Sequence, residues 1–131
     1  MKVIDVLKEN KETLSFEVFP PKKESGFDTI WEATEKIAQI SPSFMSVTYG
    51  AGGGASRYTI DVAKNVQEKF GVPMLAHLTC VGSTKESLRE KISIMKASGI
   101  ESILALRGDI TDERVGDVAG LALLESVSLH D

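Results

Sequence analysis

Four short apolar runs recur along the chain at nearly constant spacing. They occupy residues 14–20, 44–50, 73–80 and 102–109, and their first residues lie 29 or 30 positions apart. Each run is bounded by proline, glycine or polar residues, which is typical of a buried strand. The pattern therefore predicts four strands, repeated at a constant period.

The stretches between these strands carry apolar residues at helical spacing. Residues 27–39, 59–70 and 86–97 each place most of their apolar side chains on one face, which predicts three amphipathic helices. The third helix has a candidate capping box, in which Ser83 would pair with Glu86 three positions later.

Both ends of the chain also have helical patterns. The N-terminal residues predict a short amphipathic helix with Val3, Ile4 and Leu7 on one side. After the fourth strand, residues 110–131 form an atypical C-terminal remnant with helical spacing.

Regular alternation of strand and helix predicts an α/β fold with a parallel sheet. Because the strands are nearly continuous apolar runs, we expect both faces of the sheet to be covered. Two architectures fit one domain over residues 1–131: a small doubly wound sheet, or the first half of a (β/α)8 barrel. In both, reactive groups gather at the carboxyl ends of the strands.

The composition excludes some classes of function but does not identify one. The 131 residues carry a net charge of −4, so the chain is a poor non-specific binder of nucleic acid or of an anionic membrane. No apolar run approaches the length of a membrane span. The single cysteine, Cys80, excludes an intramolecular disulfide and a cysteine-cluster zinc site, and it fits a reducing cytoplasm.

Glu17 stands in the first strand among Phe16, Val18 and Phe19. An apolar setting would keep the carboxylic acid protonated near neutrality, as a general acid requires. The alternative is a glutamate that pairs with a lysine or arginine, or that points into water.

The residues after the second strand, Gly50 to Ala55, match the G-x-G-x-x-A pattern of phosphate-binding turns. A dinucleotide fold also needs an acidic residue at the end of the next strand, where this chain has Thr79 and Cys80. The pattern thus favours a flexible turn beside a site, or simply a tight turn, over a nucleotide fingerprint.

The third and fourth strands end in further polar groups. His77 is either a satisfied core residue or a site residue, and no partner at metal-ligand spacing accompanies it, so we expect no metal. Cys80 is predicted to be a buried structural thiol. Arg107 and Asp109 flank Gly108, which would let a ligand approach the backbone; the alternative is a salt-bridged strand end.

Four strings of this sequence resemble one family, methylenetetrahydrofolate reductase. They are SFEVFPPK (15–22), FMSVTYGAGG (44–53), HLTC (77–80) and ALRGD (105–109), and they follow one another in register from about residue 14 to residue 109. The resemblance implies a (β/α)8 TIM barrel that binds FAD, with this chain supplying the first four βα units. It implies hydride transfer from NADH or NADPH, through FAD, to 5,10-methylenetetrahydrofolate, which becomes 5-methyltetrahydrofolate.

The resemblance also implies roles for individual residues. Glu17 matches the general acid, and Asp109 matches an aspartate near the flavin that tunes it and stabilises a cationic substrate. The residues that match flavin-lining positions are Thr48, Tyr49, His77, Arg107, Gly108 and Asp109.

Two other hypotheses remain open at the level of sequence. Because a half-barrel exposes sheet edges and an open face, we expect a homo-oligomer, and the chain could be a non-catalytic half-barrel that self-associates or binds flavin alone. The other is a small Rossmann-like nucleotide-binding domain that uses the turn at Gly50 to Ala55. The last twenty residues look unlike the family.

Overall fold

The computed structural model describes residues 1–20, 26–49 and 55–108. In chain order, its helices and strands are α1 (Val3–Glu9), β1 (Ser15–Val18), α2 (Phe27–Ala38), β2 (Phe44–Val47), α3 (Ala55–Phe70), β3 (Met74–Thr79), α4 (Lys85–Ala97) and β4 (Ser102–Leu106). All four strands and all three internal helices that the apolar pattern predicts are confirmed. The helix predicted within residues 110–131 lies outside the described residues.

The four strands form one parallel sheet in the order β1-β2-β3-β4. A doubly wound sheet has its first strand in the interior, with later strands added on both sides. The sequential order therefore rules out the small doubly wound sheet, and with it the Rossmann-like alternative. Strands added in one direction, each after a helix, give the arrangement of half a βα-barrel.

The hydrophobic core lies between the sheet and the helices on one of its faces. Side chains from β2 and β3, led by Met45, Val47 and Met74, pack with Val66 of α3 and Met95 of α4, and all five are almost completely buried. Right-handed crossovers between strands in sequential order place the three crossover helices α2, α3 and α4 on the same side of the sheet, and their buried side chains form one core with it.

None of the crossover helices that the structure describes covers the opposite face of the sheet, here called the open face, which corrects the expectation that both faces are covered. Along β3, buried and half-buried residues alternate, and on β4 the side chains of Leu104 and Leu106 are 39% and 37% exposed. Phe19, just after β1, is 65% exposed. The alternation between the two faces is not visible in the sequence, because the residues of the open face include leucine and phenylalanine and the strands therefore read as continuous apolar runs.

Helix α1 forms as predicted, but its buried side is different. Val3 and Val6 are buried, whereas Ile4 and Leu7 are 53% and 48% exposed. The first turn of α1 is attached to the start of β4, where the amide of Val3 donates a 3.0 Å hydrogen bond to Oγ of Ser102. This tertiary contact selects the face, which helical spacing alone could not decide.

The cap of α4 also differs from the prediction. Thr84, and not Ser83, is the N-cap, because its hydroxyl oxygen accepts a 3.1 Å hydrogen bond from the amide of Ser87. Ser83 is instead buried, and its hydroxyl accepts a hydrogen bond from Lys91.

Candidate active site

The carboxyl ends of the four strands meet at one edge of the sheet, which we call the carboxyl edge. It carries Thr48 and Tyr49 after β2, His77 near the end of β3, and Arg107 and Gly108 after β4. The parallel arrangement brings these residues together although they are up to 60 positions apart in the sequence. The geometry thus gathers the described candidates on one side of the molecule.

Glu17 and His77 contact each other across β2. Oε1 of Glu17 lies 3.5 Å from Nε2 of His77, with side chains that are 48% and 12% exposed, respectively. Glu17 is in register with Ser46, which is in register with Leu75, so both members of the pair lie on the open face. The small side chain of Ser46 leaves room for the two longer ones to meet above the middle strand.

The setting of Glu17 corrects one expectation. Its neighbours Phe16 and Val18 point to the other face, toward the helices, because side chains alternate along a strand. The carboxyl group is therefore half exposed and faces an imidazole, and it is not enclosed by the apolar side chains next to it in the sequence. Among the described residues no arginine or lysine pairs with Glu17, and the alternative of a carboxyl group that points into water is met in part, since 48% of the side chain is exposed.

Thr48 is held in place by two hydrogen bonds of its main chain. Its amide donates to the carbonyl oxygen of Val18 at 3.0 Å, which continues the β1–β2 ladder, and its own carbonyl oxygen accepts from Oγ1 of Thr59 at 2.9 Å. Thr59 lies on α3 and is fully buried. Thr59 was not predicted as a site residue; the available signal in the sequence was a hydroxyl beside Ile60 on the apolar face of that helix.

Cys80 is the buried thiol that the sequence predicts. Its side chain is 2% exposed, and its Sγ donates to the carbonyl oxygens of Leu106 and Arg107 at 3.4 and 3.6 Å. Burial raises the pKa of the Cys80 thiol, and the nearby positive charge of Arg107 opposes this effect more weakly. A buried thiol with a raised pKa is a poor nucleophile, so its role here is to join the ends of β3 and β4.

Gly108 is required by the protein's own packing. Its φ is +86°, and a Cβ added there would lie 3.2 Å from Cβ of Thr79 and 3.5 Å from Cβ of Val81. The amide of Val81 also donates to the carbonyl oxygen of Arg107 at 2.9 Å, which holds the two segments together. The close approach expected for a ligand is thus made by the neighbouring strand.

Arg107 is exposed, and its Nε donates to the carbonyl oxygen of Gly108 at 3.3 Å. Two other candidates, Asp109 and the glycine-rich turn at residues 50–54, lie outside the described residues.

Neither a metal centre nor a membrane span is found in the part of the chain that the structure describes. No group of three or more histidine, cysteine, aspartate or glutamate side chains there could hold a metal ion. None of its helices combines the length and the apolar character needed to cross a bilayer.

Comparison with known proteins identifies the family. The family model described as methylenetetrahydrofolate reductase matches residues 2–121. The expectation that the resemblance ends near residue 109 is therefore wrong, because the match continues twelve residues further and also includes α1.

Individual relatives agree with the family match. The 5,10-methylenetetrahydrofolate reductase of Pectobacterium carotovorum is 39% identical over 100 residues, which cover 76% of this chain and 34% of that protein. The corresponding protein of Escherichia coli is 36% identical over 97 residues, covering 74% and 33%. A probable methylenetetrahydrofolate reductase (NADH) of Oryza sativa is 36% identical over 113 residues, covering 83% and 19%.

The chain spans about a third of the length of these bacterial relatives and about a fifth of the plant one. Within that span it has the sequential parallel sheet of half a TIM barrel, with its candidate residues at the carboxyl edge. The chain belongs to the methylenetetrahydrofolate reductase family.

Proposed function

We propose that this chain carries the flavin-facing part of a reductase that converts 5,10-methylenetetrahydrofolate to 5-methyltetrahydrofolate with NADH or NADPH and FAD. The observation that carries the proposal is the contact between Glu17 and His77 on the open face of the sheet. This contact places a carboxyl group that can donate a proton beside an imidazole, on a face of the sheet that a ligand can approach. Family membership supports the reductase class.

The carboxyl edge suits a ligand with the chemistry of FAD. Arg107 offers an exposed cation that could meet phosphate oxygens. His77 offers a half-buried ring on the open face, where Leu104 and Leu106 add an apolar surface for a planar ring system, and Tyr49 offers a second half-buried ring at the carboxyl edge. These residues, with Thr48 and the main chain of Gly108, would hold the cofactor. When bound, FAD supplies the hydride chemistry that no side chain of this edge possesses.

Glu17 is the general acid in this proposal. It donates its carboxyl proton to a nitrogen of the imidazolidine ring of the substrate, and the ring opens to an electrophilic iminium ion. Because Oε1 faces His77, we assign Oε2 to the substrate. His77 thereby orients the carboxyl group. Asp109 keeps the role that the resemblance implies, near the flavin and the cationic substrate.

The substitution Glu17→Gln tests this assignment. We expect folate reduction to fall by about 10²- to 10⁴-fold, the usual contribution of a general acid. Oxidation of NADH with a quinone as electron acceptor should persist, because it needs no proton from Glu17. The matched control is Glu32→Gln, which changes an exposed carboxylate on α2. Unchanged folate reduction in Glu17→Gln would assign the acid to another residue.

A second function is favoured by the exposed leucines of the open face. Leu104, Leu106 and Phe19 present apolar surface that water does not favour. The chain would then be a half-barrel that associates with a second copy of itself, or binds flavin without catalysis. Light scattering separates this from a monomeric catalyst, as described below.

A further inference from the structure

Lys91 of α4 connects the segments that follow two different strands. Its Nζ donates a 3.1 Å hydrogen bond to Oγ of Ser83, in the segment after β3. The same Nζ lies 5.2 Å from the centroid of the ring of Tyr49, which follows β2. One cation thus contacts both segments of the carboxyl edge.

The contact with Ser83 fixes where the ammonium group lies. Ser83 is 8% exposed, and its amide donates to the carbonyl oxygen of Cys80 at 3.2 Å, in a turn that passes through Gly82 at a φ of +80°. The hydroxyl is therefore held by a tight turn at the end of β3. A lysine bonded to it has lost much of the freedom of its long side chain.

The contact with Tyr49 restricts the ring. Tyr49 is half buried and packs against the hydrophobic core. A cation within about 6 Å of the centroid is attracted to the negative face of an aromatic ring. The ring is therefore held between the core and the ammonium group, in one orientation at the carboxyl edge.

A second lysine, Lys69, lies near an aromatic ring away from the carboxyl edge. Nζ of Lys69 lies 5.5 Å from the ring centroid of Phe70, but these residues are neighbours on α3. The ammonium group of Lys69 is bonded to the carboxylate of Glu35 at 2.8 Å. That pair joins two helices and involves none of the segments after the strands, so it provides a matched comparison.

We propose that Lys91 is a positioning residue for the flavin site: it holds the ring of Tyr49 in the orientation that binds the cofactor, and it uses the buried hydroxyl of Ser83 as its anchor. The inference rests on the proposed function, because that function assigns Tyr49 to flavin binding. In this inference Lys91 acts through the ring of Tyr49 and not by contact with the cofactor.

The first test is FAD affinity, measured by quenching of flavin fluorescence. Lys91→Met keeps most of the aliphatic chain and removes the charge, and we expect the Kd to rise about three- to tenfold, as for loss of one cation–π contact. Lys91→Arg keeps a cation and should stay within about twofold of the unchanged chain. Lys69→Met, the control, should leave the Kd unchanged. Equal affinities for Lys91→Met and the unchanged chain would overturn the proposal.

A double-mutant cycle shows whether Lys91 acts through Tyr49. In a Tyr49→Leu background, Lys91→Met should weaken FAD binding no further, because the ring that it positions is gone. If the two effects add fully, Lys91 acts by another route and the proposal fails.

A measurement without flavin separates this inference from the proposed function. The chain has two tyrosines, so the ring resonances of Tyr49 can be assigned from a Tyr49→Phe variant. Lys91→Met should shift these resonances and the amide resonance of Ser83, whereas Lys69→Met should shift neither. Unshifted resonances overturn the inference even if FAD binds. Shifted resonances in a chain that binds no FAD support the contact and contradict the flavin site.

Discussion

Glu17 and His77 meet because the residue between them on β2 is a serine. Both were candidates from the sequence, since each is a polar side chain in an apolar strand, but their contact depends on register and on which face each one occupies. The sequence neighbours of Glu17 indicated an apolar environment, and strand alternation reversed that conclusion. For single residues, the sequence therefore predicted which side chains lie at the carboxyl edge, but not which side chains contact one another there.

Gly108 shows that a glycine at a candidate site can serve packing. Gly108→Ala would introduce two sources of strain: an alanine at a φ of +86°, and a new Cβ only 3.2 Å from the Cβ of Thr79. Gly99→Ala has nearly the same φ, +82°, and open space around the new methyl group. We expect both to destabilise the chain, by about 1–2 kcal/mol for the backbone alone, and Gly108→Ala by about 1 kcal/mol more because of overpacking. Urea denaturation measures both, and equal losses would contradict the packing argument.

The buried thiol predicts a direction for the pH dependence of stability. Because burial raises the pKa of Cys80, the thiol ionises more readily in the unfolded chain than in the folded one. Its contribution to stability is complete below the pKa of the unfolded thiol and is lost as the pH rises through the raised folded value. The free energy of unfolding should therefore fall between pH 7 and 10 more steeply in the unchanged chain than in Cys80→Ala. If the free energy of unfolding falls equally with pH in the unchanged chain and in Cys80→Ala, the thiol does not contribute to the pH dependence and the prediction is wrong.

The elements themselves were the most predictable feature, and their ends were the least. A period of 29 or 30 residues, with apolar runs between amphipathic stretches, was enough to place four strands and three helices. The start of α3 at Ala55 and the buried face of α1 were not evident, because they depend on contacts distant in sequence, such as that of Val3 with Ser102.

The start of α4 gives a test at this scale. Thr84→Ala removes the hydroxyl that accepts from the amide of Ser87, and we expect a loss of about 1 kcal/mol in the free energy of unfolding. Thr84→Ser keeps the oxygen and should cost much less. If thermal and urea denaturation show equal losses for the two variants, Thr84 is not the functional cap.

At the scale of the whole molecule, the order of the strands decides the architecture. The sequence left a doubly wound sheet and a half-barrel open, because both have the same alternation of elements. Pairing of β1 with β2, β2 with β3 and β3 with β4 selects the half-barrel and explains why the crossover helices α2, α3 and α4 all lie on one face of the sheet. Hydrophobic pattern alone could not reveal this order.

The open face predicts how the chain behaves in solution. We expect the unchanged chain to self-associate, since exposed leucines on β4 favour burial against a second copy. Replacing Leu104 and Leu106 together with glutamate should shift the mass measured by light scattering toward the monomer. Ile94→Glu alters an apolar residue of α4 that is 46% exposed, and should not change that mass. A monomeric unchanged chain would exclude self-association.

Flavin binding at the carboxyl edge can be measured from the visible absorbance spectrum of the chain after incubation with FAD and removal of free cofactor. We expect a protein fraction that retains flavin with bands displaced from those of free FAD. We also expect weaker retention in Arg107→Gln but not in Arg89→Gln, which removes an exposed cation of α4. A protein fraction without flavin absorbance would contradict the claim that the carboxyl edge of this sheet is a flavin site.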